Sequence, residues 1–199
     1  MRYMVDLYCG FGGASEAMIN DHTWDVCRID NNPLLSSVQG IHIKDVRDLV
    51  VHKEFFDDGE IDLIWASPPC TEFSRGYHAP GPTAERSGLE FTPDLELIEA
   101  ALNIIEKSKP KYWCIENVKG SISHFAKLGL KPRQIIGPFV LYGNFPLLHI
   151  DNNFSHNKYN HDSWSTDPLR SNKRAYVPLE ISAGMKEAIE SQQSIMNWC

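Results

Sequence analysis

Short apolar runs alternate with segments of helical spacing along the first half of the chain. Runs rich in β-branched and aromatic residues predict strands at 3–8, 24–30, 41–43, 61–67 and 111–118. The intervening segments predict helices at 10–20, 33–39 and 91–109. This order predicts an α/β fold in which a mostly parallel sheet is covered by helices on both faces.

The predicted helix at 91–109 has the most regular helical spacing, with Thr92 as its N-cap and Pro93 in its first turn. Pro33 is expected to open the helix at 33–39. The later part of the chain has a different pattern. Segments 134–143 and 147–150 are strand-like, 151–174 is polar and loop-like, and 179–196 is predicted to be the last helix.

Sheets of this kind bind their ligands at the carboxyl ends of the strands. The strands predicted here lead into residues 8–13, Asp30, Asp45, Cys70 and Glu116. We therefore expect these residues to lie along one edge of the sheet, where a functional site would form.

Composition narrows the class of protein. The chain has 199 residues, 42% of them hydrophobic, which suits a single globular domain over residues 1–199. No apolar run reaches membrane-spanning length and no signal peptide is recognisable, so no membrane partner is expected. The five cysteines are odd in number and widely spread. They favour free thiols in a reducing compartment and a cytoplasmic location.

Charge and metal-ligand spacing point to no simple binding class. The net charge of −7 argues against tight binding of nucleic acid by charge alone, although a local basic patch can suffice. No C-x-x-C pair is present, and His156 and His161 fit a solvated loop better than a zinc site. No metal is therefore expected.

The segment "DLYCGFGG" at 6–13 is a glycine-rich turn between a predicted strand and a helix. Glycines let a ligand approach the backbone, and a helix start presents free N–H groups to an anion. The spacing differs from that of the dinucleotide fingerprint, and an ordinary tight turn explains it equally well. Asp30 would suit ribose hydroxyls and Asp45 an adenine amino group. Each acid alone is typical of a solvated turn, but their placement at successive strand ends favours an adenosine pocket.

Cys70 follows Pro68 and Pro69, which fix the backbone at the end of a buried strand. A thiolate in that position would be a strong nucleophile, and a partly buried Glu116 would serve as its acid partner. Simpler interpretations remain open at this point. Cys70 could fill space as a small hydrophobic residue, and Glu116 and Asn117 could cap a helix.

Five ordered motifs resemble those of the cytosine C5-specific DNA methyltransferase family. They are "DLYCGFGGASEA", "IDNNP", "KDV", "SPPCTEFS" and "IENV", and the resemblance covers about residues 3–120. It implies a Rossmann-like S-adenosylmethionine-dependent methyltransferase fold and transfer of a methyl group to C5 of cytosine in DNA. It also implies that Cys70 adds to C6 of the base, that Glu116 acts at N3, and that Asn117 orients Glu116. Residues 71–90 would form a mobile segment that closes over the site.

The resemblance also implies which residues bind S-adenosylmethionine. The methionine part would lie at the turn, the ribose at Asp30, the adenine at Asp45 and Val46, and Pro69 beside the cofactor. Asn31 stands where the family often has an apolar residue, and is a departure. The turn residues matched in this way are Tyr8, Gly10, Phe11 and Gly13.

The chain lacks features that the resemblance would lead us to expect after the catalytic core. Only 151–174 stands in place of the family's large target-recognition region, and it is too short for an independent domain. The glutamine–arginine motif is absent, with Arg133 its nearest counterpart. The closing G-N-S-V motif is also absent, and we expect 174–182 to replace it by packing on the first helix. The resemblance is therefore to a truncated member of the family.

Three functions are compatible with these departures. The first is a minimal cytosine C5 methyltransferase acting on DNA, with a specificity partner protein to direct it. The second is methylation of RNA, single strands or a free nucleotide. The third is a non-catalytic S-adenosylmethionine-binding or partner-dependent module. The intact pair of Cys70 and Glu116 favours catalysis over the third.

Overall fold

Seven strands form one sheet in the computed structural model, which describes residues 1–49, 60–151, 154–155 and 166–196. In chain order they are β1 (Arg2–Leu7), β2 (Trp24–Asp30), β3 (Ile41–Ile43), β4 (Leu63–Ala66), β5 (Tyr112–Val118), β6 (Pro132–Ile136) and β7 (Phe139–Asn144). The order across the sheet is β3-β2-β1-β4-β5-β7-β6. Strands β1 to β5 are parallel, and β7 runs antiparallel to both of its neighbours. The predicted mostly parallel sheet is confirmed.

Helices cover both faces of the sheet because the pleat sends alternate side chains to opposite sides. They are α1 (Glu16–Ile19), α2 (Pro80–Arg86), α3 (Glu96–Ser108), α4 (Ile122–Phe125), α5 (Arg170–Arg174) and α6 (Leu179–Met196). On β4, Ile64 belongs to the core beneath α3, whereas Trp65 belongs to the core beneath α6. The central strand is therefore buried on both faces, as its uniformly apolar sequence predicts.

Several element boundaries differ from the predictions. Helix α3 begins at Glu96, so the prediction of a start at 91 with Thr92 as N-cap is wrong. The side chain of Asp94 accepts a hydrogen bond from the Glu96 N–H at 2.8 Å, while Pro93 is buried ahead of the helix. The helix ends at Ser108, and Lys109 adopts a left-handed conformation at its C-cap.

Four further segments also differ. The predicted helix at 33–39 is only a 3₁₀ turn, Pro33–Leu35, in which the Leu34 N–H donates a hydrogen bond to the Asn32 side chain. Segment 147–150 is not a strand, since the Gln134 side chain bonds the Leu148 backbone in place of a strand partner. Segment 71–90, predicted to be a loop, contains the 3₁₀ turn Thr71–Phe73 and α2. The described part of 151–174 includes the short helix α5.

Some predictions lie outside the described residues. These include the loop prediction for His156 and His161, together with most of the polar segment that contains them. Within the described ranges, no helix has both the length and the apolar character needed to cross a membrane.

Candidate active site

A cavity of about 310 Å³ opens at the carboxyl edge of the sheet, where β1, β2 and β4 end. Most of the residues predicted from the sequence line it. They are Tyr8, Gly10, Phe11, Gly13, Asp30, Asn31, Asp45, Val46, Pro69 and Cys70. The expectation that strand-end residues meet at one edge is therefore confirmed for this set, and they share one ligand-sized space.

The glycine-rich turn after β1 has a backbone that few other residues adopt. Gly10 has a φ of 54° and Gly12 a φ of 77°, both in the left-handed region that glycine adopts readily. Tyr8 has a φ of 58°, which is uncommon for a residue with a side chain. Its hydroxyl donates a 2.7 Å hydrogen bond to the Leu97 carbonyl in α3. The first residue of the turn, Tyr8, thus bonds the turn to α3.

Asp30, the last residue of β2, is buried and bonded to the same turn. Its carboxylate accepts one hydrogen bond from the Gly10 N–H and one from the Asn32 N–H, both at 3.0 Å. A carboxylate has about four lone-pair sites, so acceptor capacity remains on the cavity side. Asp30 can therefore shape the turn and still accept hydrogen bonds from a ligand.

Asp45 lines the cavity two residues beyond β3 and caps a short 3₁₀ turn. Its oxygens accept hydrogen bonds from the Arg47 guanidinium at 2.6 and 2.9 Å. Hydrogen bonding to Arg47, together with a bond from Asn31, holds the pKa of the Asp45 carboxyl well below its usual range. Asp45 is therefore an ionised acceptor at the end of the cavity predicted to bind adenine.

The remaining wall comes from the C-terminal part of the chain, which sequence reasoning largely missed. Its cavity-lining residues are Ser171, Asn172, Ala175, Tyr176 and Val177. The Tyr176 hydroxyl donates to Glu16, and the Ser182 hydroxyl accepts from the Ala17 N–H at 3.0 Å. These contacts confirm that 174–182 packs on the first helix. No local pattern could have identified Asn172, because its place in the wall depends on a contact with distant Asn32.

The segment that carries Cys70 is fixed on both sides. Before it, the Pro68 carbonyl accepts a 3.0 Å hydrogen bond from the side-chain amide of Asn117 in β5. After it, buried Phe73 packs edge-on against Phe125, with ring centroids 5.1 Å apart. Asn117 thus anchors the proline segment, a contact that the expectation of Asn117 orienting Glu116 did not include.

Glu116 does not line the cavity but lies buried in the adjacent strand. Strands β4 and β5 pair as far as Ala66 and Ile115, and Asn117 then reaches the Pro68 carbonyl. Glu116 lies between these two links, next to the start of the segment that leads to Cys70. The carboxyl and the thiol are therefore on neighbouring chain segments at the same edge of the sheet.

Cys70 differs from the other described cysteines in its exposure. Cys9, Cys27 and Cys114 are buried, and burial raises the pKa of each thiol and disfavours its thiolate. Cys70 is half-buried, takes part in no disulfide and faces the cavity. Among the cysteines that the structure describes, it is the thiol best placed to meet a ligand.

Solved structures that align with this chain include several methyltransferases. A protein described as a DNA modification methyltransferase encoded within an Escherichia coli prophage aligns with a TM-score of 0.49 and 17% identity, over 72% of this chain and 47% of that one. The tRNA (uracil-54, C5)-methyltransferase of Pyrococcus abyssi, in complex with S-adenosyl-L-homocysteine, gives 0.42 and 12%, over 72% and 34%. A TehB-like S-adenosylmethionine-dependent methyltransferase from Corynebacterium glutamicum gives 0.45 and 15%, over 72% and 79%. The present chain thus spans less than half of the first two proteins.

Sequence comparison identifies the family. No curated protein matches the chain significantly. The model of the family described as C-5 cytosine-specific DNA methylase matches residues 3–133, which is more than half of the chain. The matched region contains β1 to β5, the glycine-rich turn, Cys70 and Glu116. The chain belongs to the C-5 cytosine-specific DNA methylase family.

Proposed function

We propose that this chain transfers a methyl group from S-adenosylmethionine to C5 of cytosine in DNA through a covalent adduct at Cys70. The observation that carries the proposal is that the half-buried thiol of Cys70 and the glycine-rich turn line one cavity. A nucleophile and a cofactor-binding turn that share one cavity can bring a base and a methyl donor together.

S-adenosylmethionine is the cofactor of this family, and the cavity suits it. A volume of about 310 Å³ is within the range for small-ligand sites. In the proposal, the glycine-rich turn holds the methionine part, Asp30 accepts from the ribose hydroxyls, and Asp45 and Val46 contact the adenine. The spare acceptor capacity of Asp30 fits this role. When bound, the cofactor supplies an electrophilic methyl group on a positively charged sulfur.

Cys70 starts the proposed reaction. Its thiolate attacks C6 of cytosine, so that an S–C6 bond forms and the electron pair of the C5–C6 double bond becomes available at C5. Glu116 donates a hydrogen bond or a proton to N3, which stabilises the charge that develops on the ring. C5 then takes up the methyl group. Loss of the C5 proton to a base and departure of the Cys70 thiolate restore the double bond.

Asn117 is proposed to act as a positioning residue in this scheme. Its amide holds the Pro68 carbonyl and thereby fixes the direction in which the chain enters Cys70. Since Asn117 and Glu116 are consecutive in β5, one strand supplies the acid and holds the nucleophile's segment in place. Errors of about 1 Å in such positions can reduce rates by roughly a hundredfold.

Methyl transfer from labelled S-adenosylmethionine to duplex DNA, single-stranded DNA and RNA tests the proposal. We expect label at C5 of cytosine in DNA with the wild-type chain and none with Cys70→Ala. Cys27→Ala, which removes a buried thiol outside the cavity, serves as the matched control and should retain activity. Label found on RNA alone would indicate that RNA, and not DNA, is the substrate. Cofactor binding without transfer to any of the three polymers would favour a non-catalytic module.

A further inference from the structure

A buried arginine beneath the glycine-rich turn has no role in the reaction described above. Arg28 lies in β2, two residues before Asp30, and is only 4% exposed. A buried guanidinium is costly unless its donors are satisfied and its charge is balanced. Its partners therefore indicate what holds it there.

The guanidinium of Arg28 donates hydrogen bonds in three directions. Nη2 donates to the Gly12 carbonyl at 2.8 Å, Nε to the Ser15 hydroxyl at 2.8 Å, and Nη1 to the Gln39 carbonyl at 3.1 Å. The contact with the turn is close, because a Cβ added at Gly12 would lie 2.4 Å from Cζ of Arg28. One side chain therefore joins the turn after β1, the start of the first helix and the segment before β3.

The charge of Arg28 is balanced within the same buried network. The Ser15 hydroxyl donates a 2.6 Å hydrogen bond to Asp6, so that it bridges the guanidinium and a fully buried carboxylate. Asp30 is the second carboxylate near this network. At Asp6 the positive charge of Arg28 therefore opposes the repulsion from Asp30.

We propose that Arg28 is a positioning residue that fixes the glycine-rich turn in its cofactor-binding conformation. The inference rests on the proposed cofactor site. Strand β2 contacts the turn at two points, since Asp30 holds the Gly10 N–H and Arg28 holds the Gly12 carbonyl. These two bonds fix the left-handed turn between them.

Arginine is suited to this task and lysine is not. The planar guanidinium presents its donors in a rigid fork, whereas an ammonium is a single point at the end of a flexible stem. An ammonium at the same depth cannot reach the Gly12 carbonyl, the Ser15 hydroxyl and the Gln39 carbonyl in one fixed arrangement. Arg28→Lys therefore keeps the positive charge and loses the fixed arrangement of three hydrogen bonds.

Calorimetric titration with S-adenosylmethionine tests the proposal on the full chain. We expect Arg28→Lys to raise the Kd by about tenfold or more, the loss of roughly one charge-assisted hydrogen bond. Arg2→Lys is the matched control, because Arg2 pairs with Glu190 away from the cavity. Its Kd should stay at the wild-type value. In methyl transfer, Arg28→Lys should raise the KM for the cofactor and leave kcat at saturating cofactor unchanged.

Rescue distinguishes a positioning role from general damage. In Arg28→Ala, free guanidinium ion at a non-denaturing concentration should restore cofactor affinity, and methylammonium should not. Wild-type Kd in Arg28→Lys, or equal rescue by both ions, would overturn the inference while the proposed function stands. Failure of the wild-type chain itself to bind the cofactor would overturn both.

Discussion

At the scale of single residues, two aspartates near the cavity show how surroundings set acidity. Asp45 is partly exposed to solvent and bonded to Arg47, which keeps it ionised. Asp6 is fully buried, and desolvation raises the pKa of its carboxyl to about 6 in spite of the bond from Ser15 and the charge of Arg28. An aspartate therefore serves as an ionised acceptor at the cavity, in Asp45, and as a titrating group beneath the turn, in Asp6.

The raised pKa of Asp6 predicts an unusual dependence of stability on pH. Between 3.8 and about 6 the folded chain retains a proton that the unfolded chain has lost. The contribution of Asp6 to the free energy of unfolding is therefore full below the lower value. It falls as the pH rises through the window, by roughly 3 kcal/mol in total. Asp6→Asn keeps an acceptor for Ser15 and removes the titration.

Chemical denaturation across pH 4 to 7, compared between wild type and Asp6→Asn, measures this effect. The difference in unfolding free energy between the two proteins should change in the mutant's favour as the pH rises. A difference that is constant over this range would show that Asp6 titrates in the folded state as it does in the unfolded chain.

Some site residues could be predicted from local sequence, and others could not. Cys70 and Asp30 stand directly after apolar runs, and the carboxyl-edge rule places such residues together. The left-handed backbone of Tyr8 and the burial of Arg28 carry no such signal. Both depend on partners elsewhere in the chain, namely Leu97 for the tyrosine and Gln39 and Ser15 for the arginine.

At the scale of elements, the turn after β5 supports the segment that carries Cys70. Gly120, in the 3₁₀ turn Lys119–Ser121, lies directly against the Phe73 carbonyl. A Cβ at this glycine would stand 1.8 Å from that oxygen, closer than any real contact. The turn after β5 thus fixes the residues after Cys70 by close backbone contact, and β5 itself fixes those before Cys70 through Asn117.

Gly120→Ala should therefore displace the segment after Cys70. We expect the rate of methyl transfer to fall by about tenfold to a hundredfold, because small errors in the position of a nucleophile are costly. The Kd of the cofactor should remain unchanged, since the turn after β5 is not part of the cavity wall.

Gly129→Ala is the matched control for that substitution. An added Cβ there meets nothing within 4 Å, although its φ of 77° makes the substitution strained. It should lower stability and leave the transfer rate unchanged. Equal rates for wild type and Gly120→Ala would mean that the contact with Phe73 does not set the position of Cys70.

Element type was easier to predict than element length. Strands β2 and β3 have the predicted bounds, because apolar runs between turn residues leave little choice. Helix α3 is shorter than the predicted range 91–109, because Leu95 is its N-cap and the Asp94 side chain bonds the N–H of its first residue, Glu96. The spacing of apolar residues predicts which face of the helix is buried. It does not predict at which residue the first helical hydrogen bond forms.

At the scale of the whole molecule, the two halves of the chain differ in how far they could be predicted. The region up to β5 is built from neighbouring strands and helices, so local patterns define it. The C-terminal wall joins the cavity through contacts such as that of Ser182 with Ala17, 165 residues apart. Contacts over such separations leave no local signature, and the packing of 174–182 on the first helix was expected only from the family resemblance.

Two parts of the chain form the cavity. The matched region, residues 3–133, contains Cys70, Glu116 and most of the residues that line the cavity, while α5 and the segment that follows it complete the wall. Under the proposed function, methyl transfer needs both parts, because the cofactor would lie between the glycine-rich turn and the segment around Tyr176.

The central claim is that Cys70 attacks cytosine, and a mechanism-based trap tests it most directly. In 5-fluorocytosine, fluorine replaces the C5 proton that must leave, so the S–C6 bond cannot be resolved after methylation. With S-adenosylmethionine and DNA that contains this base, mass spectrometry should find one covalent complex, mapped by peptide analysis to Cys70. The complex should require the cofactor and be lost in Cys70→Ala. Absence of any adduct on DNA or RNA despite confirmed cofactor binding, or an adduct at another residue, would contradict the account.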